Sequence, residues 1–204
     1  MGRARDLANI LSSSGSVALD SEVGLTLITP TSITATGGSG SILTNAVSFT
    51  SASAISLNGC FSSTYENYRV MFQVSGTSAN SNISFRMRSS GTDESGNNYA
   101  YSGIKTAAGG SVVLDAIVGT SSNKLVENYS GYPYHISGAL ELFNPFNTVT
   151  TKYTFNSYGN NTAGAYSGFT YYGAHSQTIS YNSITFLASS GTMTGVVRVY
   201  GYRD

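Results

Sequence analysis

From residue 53 onward the chain alternates apolar and polar positions with a period of two, the signature of half-buried strands. Tyr68, Val70, Phe72 and Val74 share one face, and Arg69, Met71 and Gln73 the other. Ile83, Phe85 and Met87 alternate with Ser84, Arg86 and Arg88, and Val112, Leu114 and Ala116 with Val113, Asp115 and Ile117. The same rhythm runs through Ile136–Leu142, Tyr153–Asn156, Ile184–Ala188 and Val196–Tyr200. Ala54–Leu57 and Phe169–Gly173 add shorter runs. Clusters of Gly and Asn, such as Gly96-Asn-Asn98 and Gly159-Asn-Asn161, separate them as turns. The pattern predicts roughly eight to ten strands and no ordinary helix beyond residue 15. An all-β fold follows: an antiparallel, jelly-roll-like β-sandwich over residues 51–204.

Residues 1–50 read differently, as an N-terminal arm. Ala4, Leu7, Ala8 and Leu11 fall at i, i+3, i+4 and i+7, one face of a short helix near 4–13. Asp6 sits in its first turn, where a carboxylate complements the helix dipole, and three serines and Gly15 end it. A helix this short is marginal alone in water and needs a surface to pack on. Gly24–Ile28 is a plausible strand, and Thr36-Gly-Gly-Ser-Gly-Ser41 reads as a flexible connection. The competing reading makes 16–50 a loop extension of the β domain.

Several positions on the outward faces are not solvent-seeking: Met71, Val113, Ile117, Val196 and Tyr200. A monomer exposes them, whereas a symmetric oligomer buries them at about 1.5–3 kcal/mol per aliphatic side chain. The reading is therefore an oligomer.

Composition narrows the function. Lys plus Arg total 10 and Asp plus Glu total 10, a formal net charge of +0. Without a basic cluster there is no electrostatic basis for nucleic-acid binding. Disorder is also excluded, because the chain is 12% aromatic and 40% hydrophobic. No apolar run approaches a membrane span, and the N-terminus lacks the apolar core and cleavage site of a signal peptide. One cysteine, Cys60, supplies neither a disulfide nor a Cys-rich zinc site, and packs as a small hydrophobe.

Candidate chemistry is sparse. His135 and His175 lack the companions a metal site needs, so no metal and no cofactor are expected. Asp93 and Glu94 are adjacent carboxylates, the residue type of glycoside hydrolysis, but neighbours on an extended strand point to opposite faces. No nucleophile elbow and no phosphate loop is present, so the chain is expected not to be an enzyme. Asn82, Asn128 and Asn160 open Asn-x-Ser/Thr triplets that matter only in a secretory pathway. The richest surface chemistry lies in 156–175. There Tyr158, Tyr166, Phe169, Tyr171 and Tyr172 are interleaved with Asn160, Asn161 and Ser167, rigid rings beside adaptable polar groups, as in binding loops. Rings stack on the C–H faces of a sugar while Asn and Ser bond its hydroxyls. The competing reading puts these rings in the core or in a subunit contact. A weaker candidate is Asn128 to Tyr134, within ENYSGYPYH, where Pro133 sets a turn.

Residues 55–77, with Phe61, Ser62, Ser63, Tyr65, Tyr68, Val70 and Phe72, resemble the opening strand pair of β-sandwich domains in phage tail fibres and related virion appendages. The ending, with Gly195, Tyr200, Gly201 and Tyr202, is similar to their closing strands. GRARDLANIL resembles segments near the start of some tail fibre proteins, particularly of cyanophages. The resemblance implies a homotrimeric virion protein of the tail. Its arm, through Arg3, Ala4, Arg5, Leu7, Ala8 and Leu11, contacts other virion proteins, and its β domain adheres to host cell-surface glycan. Neither nucleic-acid binding nor membrane insertion is expected. Two other readings stand beside it: a capsid decoration or cement protein of the same fold class, and a polysaccharide depolymerase, which this chain's few carboxylates disfavour.

Overall fold

The computed structural model describes residues 24–77, 81–106, 110–129, 135–160 and 166–203. Among them the regular elements are sixteen strands and no helix. They are β1 (Leu25–Ile28), β2 (Ser32–Thr36), β3 (Ser39–Ile42), β4 (Val47–Ala52), β5 (Ala54–Asn58), β6 (Asn67–Thr77), β7 (Ser81–Ser89) and β8 (Thr92–Asp93). There follow β9 (Tyr99–Thr106), β10 (Val112–Thr120), β11 (Asn123–Tyr129), β12 (His135–Phe143), β13 (Thr151–Asn160), β14 (Tyr166–His175), β15 (Ser183–Ala188) and β16 (Met193–Tyr202).

These strands form two antiparallel sheets. The larger has the order β10-β9-β14-β13-β12-β6-β16-β4-β3, with β1 beside β16, and the smaller the order β11-β7-β15-β5-β2, with β8 beside β7. The alternating apolar positions face inward from both sheets into one core. From the larger come Tyr68, Val70, Phe72, Leu140, Tyr153, Phe155 and Val197, and from the smaller Ile55, Leu57, Phe85, Met87 and Phe186. Phe72 meets Phe186 at 6.0 Å between ring centroids, and Phe85 meets Tyr153 edge-on at 5.2 Å. Such pairs contribute beyond the area they bury and fix how the sheets sit on one another.

The predicted strands are present, and others join them. Residues 25–50, expected as an extended connection, instead supply β1 to β4. Β1, the strand expected at Gly24–Ile28, pairs with β16, β2 with β5, and β3 with β4. The expected flexible connection at 36–41 is a tight turn leading into β3, and the expected boundary at residue 50 falls inside β4. Gly38 shows why small residues stand there: a Cβ would lie 2.3 Å from the Thr50 carbonyl oxygen. The helix expected near 4–13, and with it Arg3, Ala4, Arg5, Leu7, Ala8 and Leu11, lies outside the described residues.

Polar strand faces are tied together by hydrogen bonds. On the smaller sheet Thr185 Oγ1 donates to Asp93 Oδ1 at 2.6 Å and lies 2.9 Å from Ser56 Oγ. Arg88 pairs with Asp93 at 2.6 Å and reaches Asn58 Oδ1 at 3.0 Å. This network holds the short strand β8 on its neighbours.

Candidate functional site

The strand β14 divides the 156–175 segment between two faces, because successive side chains alternate. Ser167, Phe169 and Tyr171 turn inward and are buried. Tyr171 stacks on Phe155 at 5.0 Å and donates its hydroxyl to Asp115 Oδ2 at 2.8 Å. The side chains of three of the predicted binding residues are therefore in the core, as the competing reading has it, and face away from the outer surface. Tyr166 and Tyr172 turn outward, 65% and 61% exposed. Tyr158 on β13 shares their face at 55%. Asn160 is half-buried opposite Tyr166, and Asn161 lies outside the described residues.

The structure brings Tyr158 and Tyr166 together. They sit diagonally across the β13–β14 ladder, where Tyr158 opposes Gly168 and Asn160 opposes Tyr166. Their rings stack with centroids 5.6 Å apart and planes 15° from parallel. Beside Tyr158 runs a shallow groove of about 270 Å³, bounded by Ile104, Thr106, Asn156, Gly168 and Thr170. Gly168 is its floor: a Cβ there would come within 2.9 Å of Thr106 Oγ1 and 3.9 Å of the Tyr158 ring. The Thr106 hydroxyl accepts from the Gly168 N–H at 3.0 Å, and Thr170 Oγ1 donates to Asn156 Oδ1 at 2.9 Å. That bond uses the amide oxygen of Asn156, not its two N–H donors. Aromatic surface and hydrogen-bonding groups thus meet on a rigid sheet. The sequence reading missed Ile104 and Thr106, because only strand pairing brings β9 beside β14.

No protein-family model matches the chain, and no curated protein matches it.

The larger sheet ends on an unusual edge. Among the described residues β10 pairs with β9 on one side only. Leu114 and Val118 are 82% and 84% exposed on one face, and Val113 and Ile117 are exposed on the other. Its one charge, Asp115, is met by Lys124 Nζ at 3.4 Å and by the Tyr171 hydroxyl. Long, flat, apolar edges are normally blunted by charge, proline or a covering segment. Of the five outward residues from which an oligomer was expected, Met71, Val113 and Ile117 are exposed, while Val196 and Tyr200 are half-buried.

The remaining candidate groups have structural surroundings. Asp93 is engaged by Arg88 and Thr185, whereas Glu94 Oε1 accepts from the Gly96 N–H at 2.8 Å. Their bonds lead away from one another, not to a shared reaction centre. His175 is buried against Tyr99 and Tyr181, and burial holds its imidazole below its ordinary pKa. His135 is exposed. Cys60 is buried, and burial pushes its thiol pKa far up, which leaves it unreactive. Of the weaker candidate segment, 130–134 lies outside the described residues.

Proposed function

We propose that the two sheets form a jelly-roll-like β-sandwich and that the chain is a virion structural protein, a tail fibre or tail appendage. Three copies assemble, the N-terminal arm fastens them to other virion proteins, and the outer face of the larger sheet adheres to host-cell glycan. The observation that carries this reading is the stacked Tyr158–Tyr166 pair beside the groove over Gly168. Sugars offer apolar C–H faces and hydroxyls, the counterparts of exposed rings beside Asn and Thr. A shallow groove binds weakly, and several copies engaged together make weak sites strong. Self-association is supported by the uncovered β10 edge, which a sister copy covers; the number three rests on the resemblance of the sequence alone.

A capsid decoration protein is the second reading. The β10 edge favours it as far as it favours self-association, since a shell could cover the same apolar face. Gold-labelled antibody on intact particles separates the two: label on the tail supports the first, and label on the icosahedral faces the second. Purified protein that competes with particles for adsorption to cells, and loses that competition on Tyr158→Ala, supports adhesion through the groove. Undiminished competition by the variant removes the groove from the account.

A further inference from the structure

We infer that the groove beside Tyr158 takes an uncharged saccharide, a neutral pyranose chain, and not an acidic glycan. The inference rests on the adhesive reading above and narrows its ligand. Protein sites for sialic or uronic acids meet the carboxylate with a cation or with focused N–H donors. Here Ile104, Thr106, Asn156, Tyr158, Gly168 and Thr170 line the groove without one charged group. The nearest charges on the surrounding elements do not correct this. Lys105 follows Ile104 on β9 but takes the other face, opposite Phe169. Lys152 is six residues from Tyr158 along β13, about 20 Å at strand spacing. Glu141, on β12, is already paired with Arg69 at 3.3 Å and with the Tyr202 hydroxyl at 2.6 Å.

The end of the sheet where the groove opens adds no charge either. Thr106, His135, Asn160 and Tyr166 stand at strand termini that meet there through the β9–β14 and β13–β14 ladders and the start of β12. Among these described residues none carries a carboxylate, ammonium or guanidinium group. Among the described residues His135 also stands on this face near the groove, two positions before Ser137. At about 270 Å³ the groove is at or below the small end of ligand sites, which run from about 300 to 1,000 Å³, so it holds a short stretch of chain. The Tyr158 ring supplies the stacking face, while Asn156 and Thr170 supply donors and acceptors to hydroxyls.

The test uses the full chain against immobilised saccharides at pH 8, where a histidine is ordinarily neutral. Neutral probes are glucan, galactan and mannan tetramers; acidic probes are a tetragalacturonate and a sialyl-lactose. The expected result is binding to a neutral probe that is unchanged between low and high salt and falls about tenfold in Tyr158→Ala. Asn156→Ala, which keeps the ring, lowers the same binding and leaves thermal unfolding unchanged. Binding confined to the acidic probes and weakened by salt overturns the inference while leaving glycan adhesion standing. Binding to no probe, with adsorption to cells unaffected by Tyr158→Ala, overturns the adhesive reading and the inference with it.

Discussion

The hydroxyl of Tyr68 closes on both backbone polar groups of Ser62: it accepts the Ser62 N–H at 2.7 Å and donates to the Ser62 carbonyl at 2.8 Å. The ring itself is buried, with Phe61 edge-on at 4.7 Å and Tyr65 at 6.0 Å. One side chain thereby folds the 59–66 turn back onto β6. Tyr68→Phe keeps the ring and removes both bonds. Ser62 is exposed, so water recovers part of the loss. The expected cost is about 1–2 kcal/mol, read as a lower midpoint in urea with an unchanged slope.

Gly201 faces the ring of Tyr65, and a Cβ at residue 201 would lie 2.4 Å from its Cγ. Gly201→Ala must displace that ring or bend β16 between Tyr68 and Thr26, its partners on either side. The expected cost is about 1–3 kcal/mol. Tyr65→Ser should recover much of it, because it removes the obstacle. A double-mutant cycle by chemical unfolding measures the coupling, and additive costs would show that the contact is not what makes glycine necessary.

These two contacts show what the sequence could reveal. Phe61, Ser62, Tyr65 and Gly201 were legible only as a resemblance and Tyr68 also by its alternation, yet they form one physical cluster joining the turn before β6 to β16. The alternation at Tyr68, Val70, Phe72 and Val74 located the core directly, since every one of them is buried. β3 was illegible because SGSI carries almost no apolar signal. β9 was hidden by Gly103, which is small because the β14 backbone lies against it, a Cβ there lying 2.1 Å from the Thr170 carbonyl oxygen and 2.9 Å from the Tyr171 ring. The candidate site was half legible. Period two requires Tyr171 and Tyr172 to face opposite ways, but which one faces solvent depends on the neighbouring strands.

That opposition is directly testable. Tyr171→Ala removes a buried ring stacked on Phe155 and the hydroxyl that holds Asp115, and should cost about 3–5 kcal/mol. Tyr172→Ala should leave stability within about 0.5 kcal/mol. If the outer face is adhesive, it weakens attachment to cells. Thermal unfolding of the two variants side by side is the measurement, and equal losses would contradict the assignment of faces.

Leu114 and Val118 carry the argument for self-association. Each buried aliphatic side chain contributes about 1.5–3 kcal/mol, and both stand almost fully exposed on β10. Leu114→Lys with Val118→Lys should lower the mass in light scattering to that of one copy, with the β-type circular dichroism spectrum retained. An unchanged mass would take β10 out of the interface. A wild-type chain that runs as one copy at high concentration would remove the oligomer altogether.

His175 makes stability depend on pH in a defined direction. Its ring is buried, meets Tyr99 edge-on at 4.4 Å, and lies with Nδ1 3.2 Å from the Tyr181 hydroxyl; Nε2 has no partner among the described residues. Burial disfavours the imidazolium and lowers the folded-state pKa below 6.5, while the charge of Glu94 opposes the shift without reversing it. The unfolded chain therefore takes up a proton near pH 6.5 that the folded chain still refuses. The stabilisation is complete above that value and is lost as pH falls below it, by at most about 1.4 kcal/mol per pH unit for one proton. Urea unfolding of the wild type should weaken from pH 7.5 to pH 5.5, and His175→Gln should weaken much less over the same range. Imidazole resonances give an independent reading, with the His175 ring of the folded protein taking up its proton below pH 6.5. A His175 that titrates at or above 6.5 in the folded protein would refute the account.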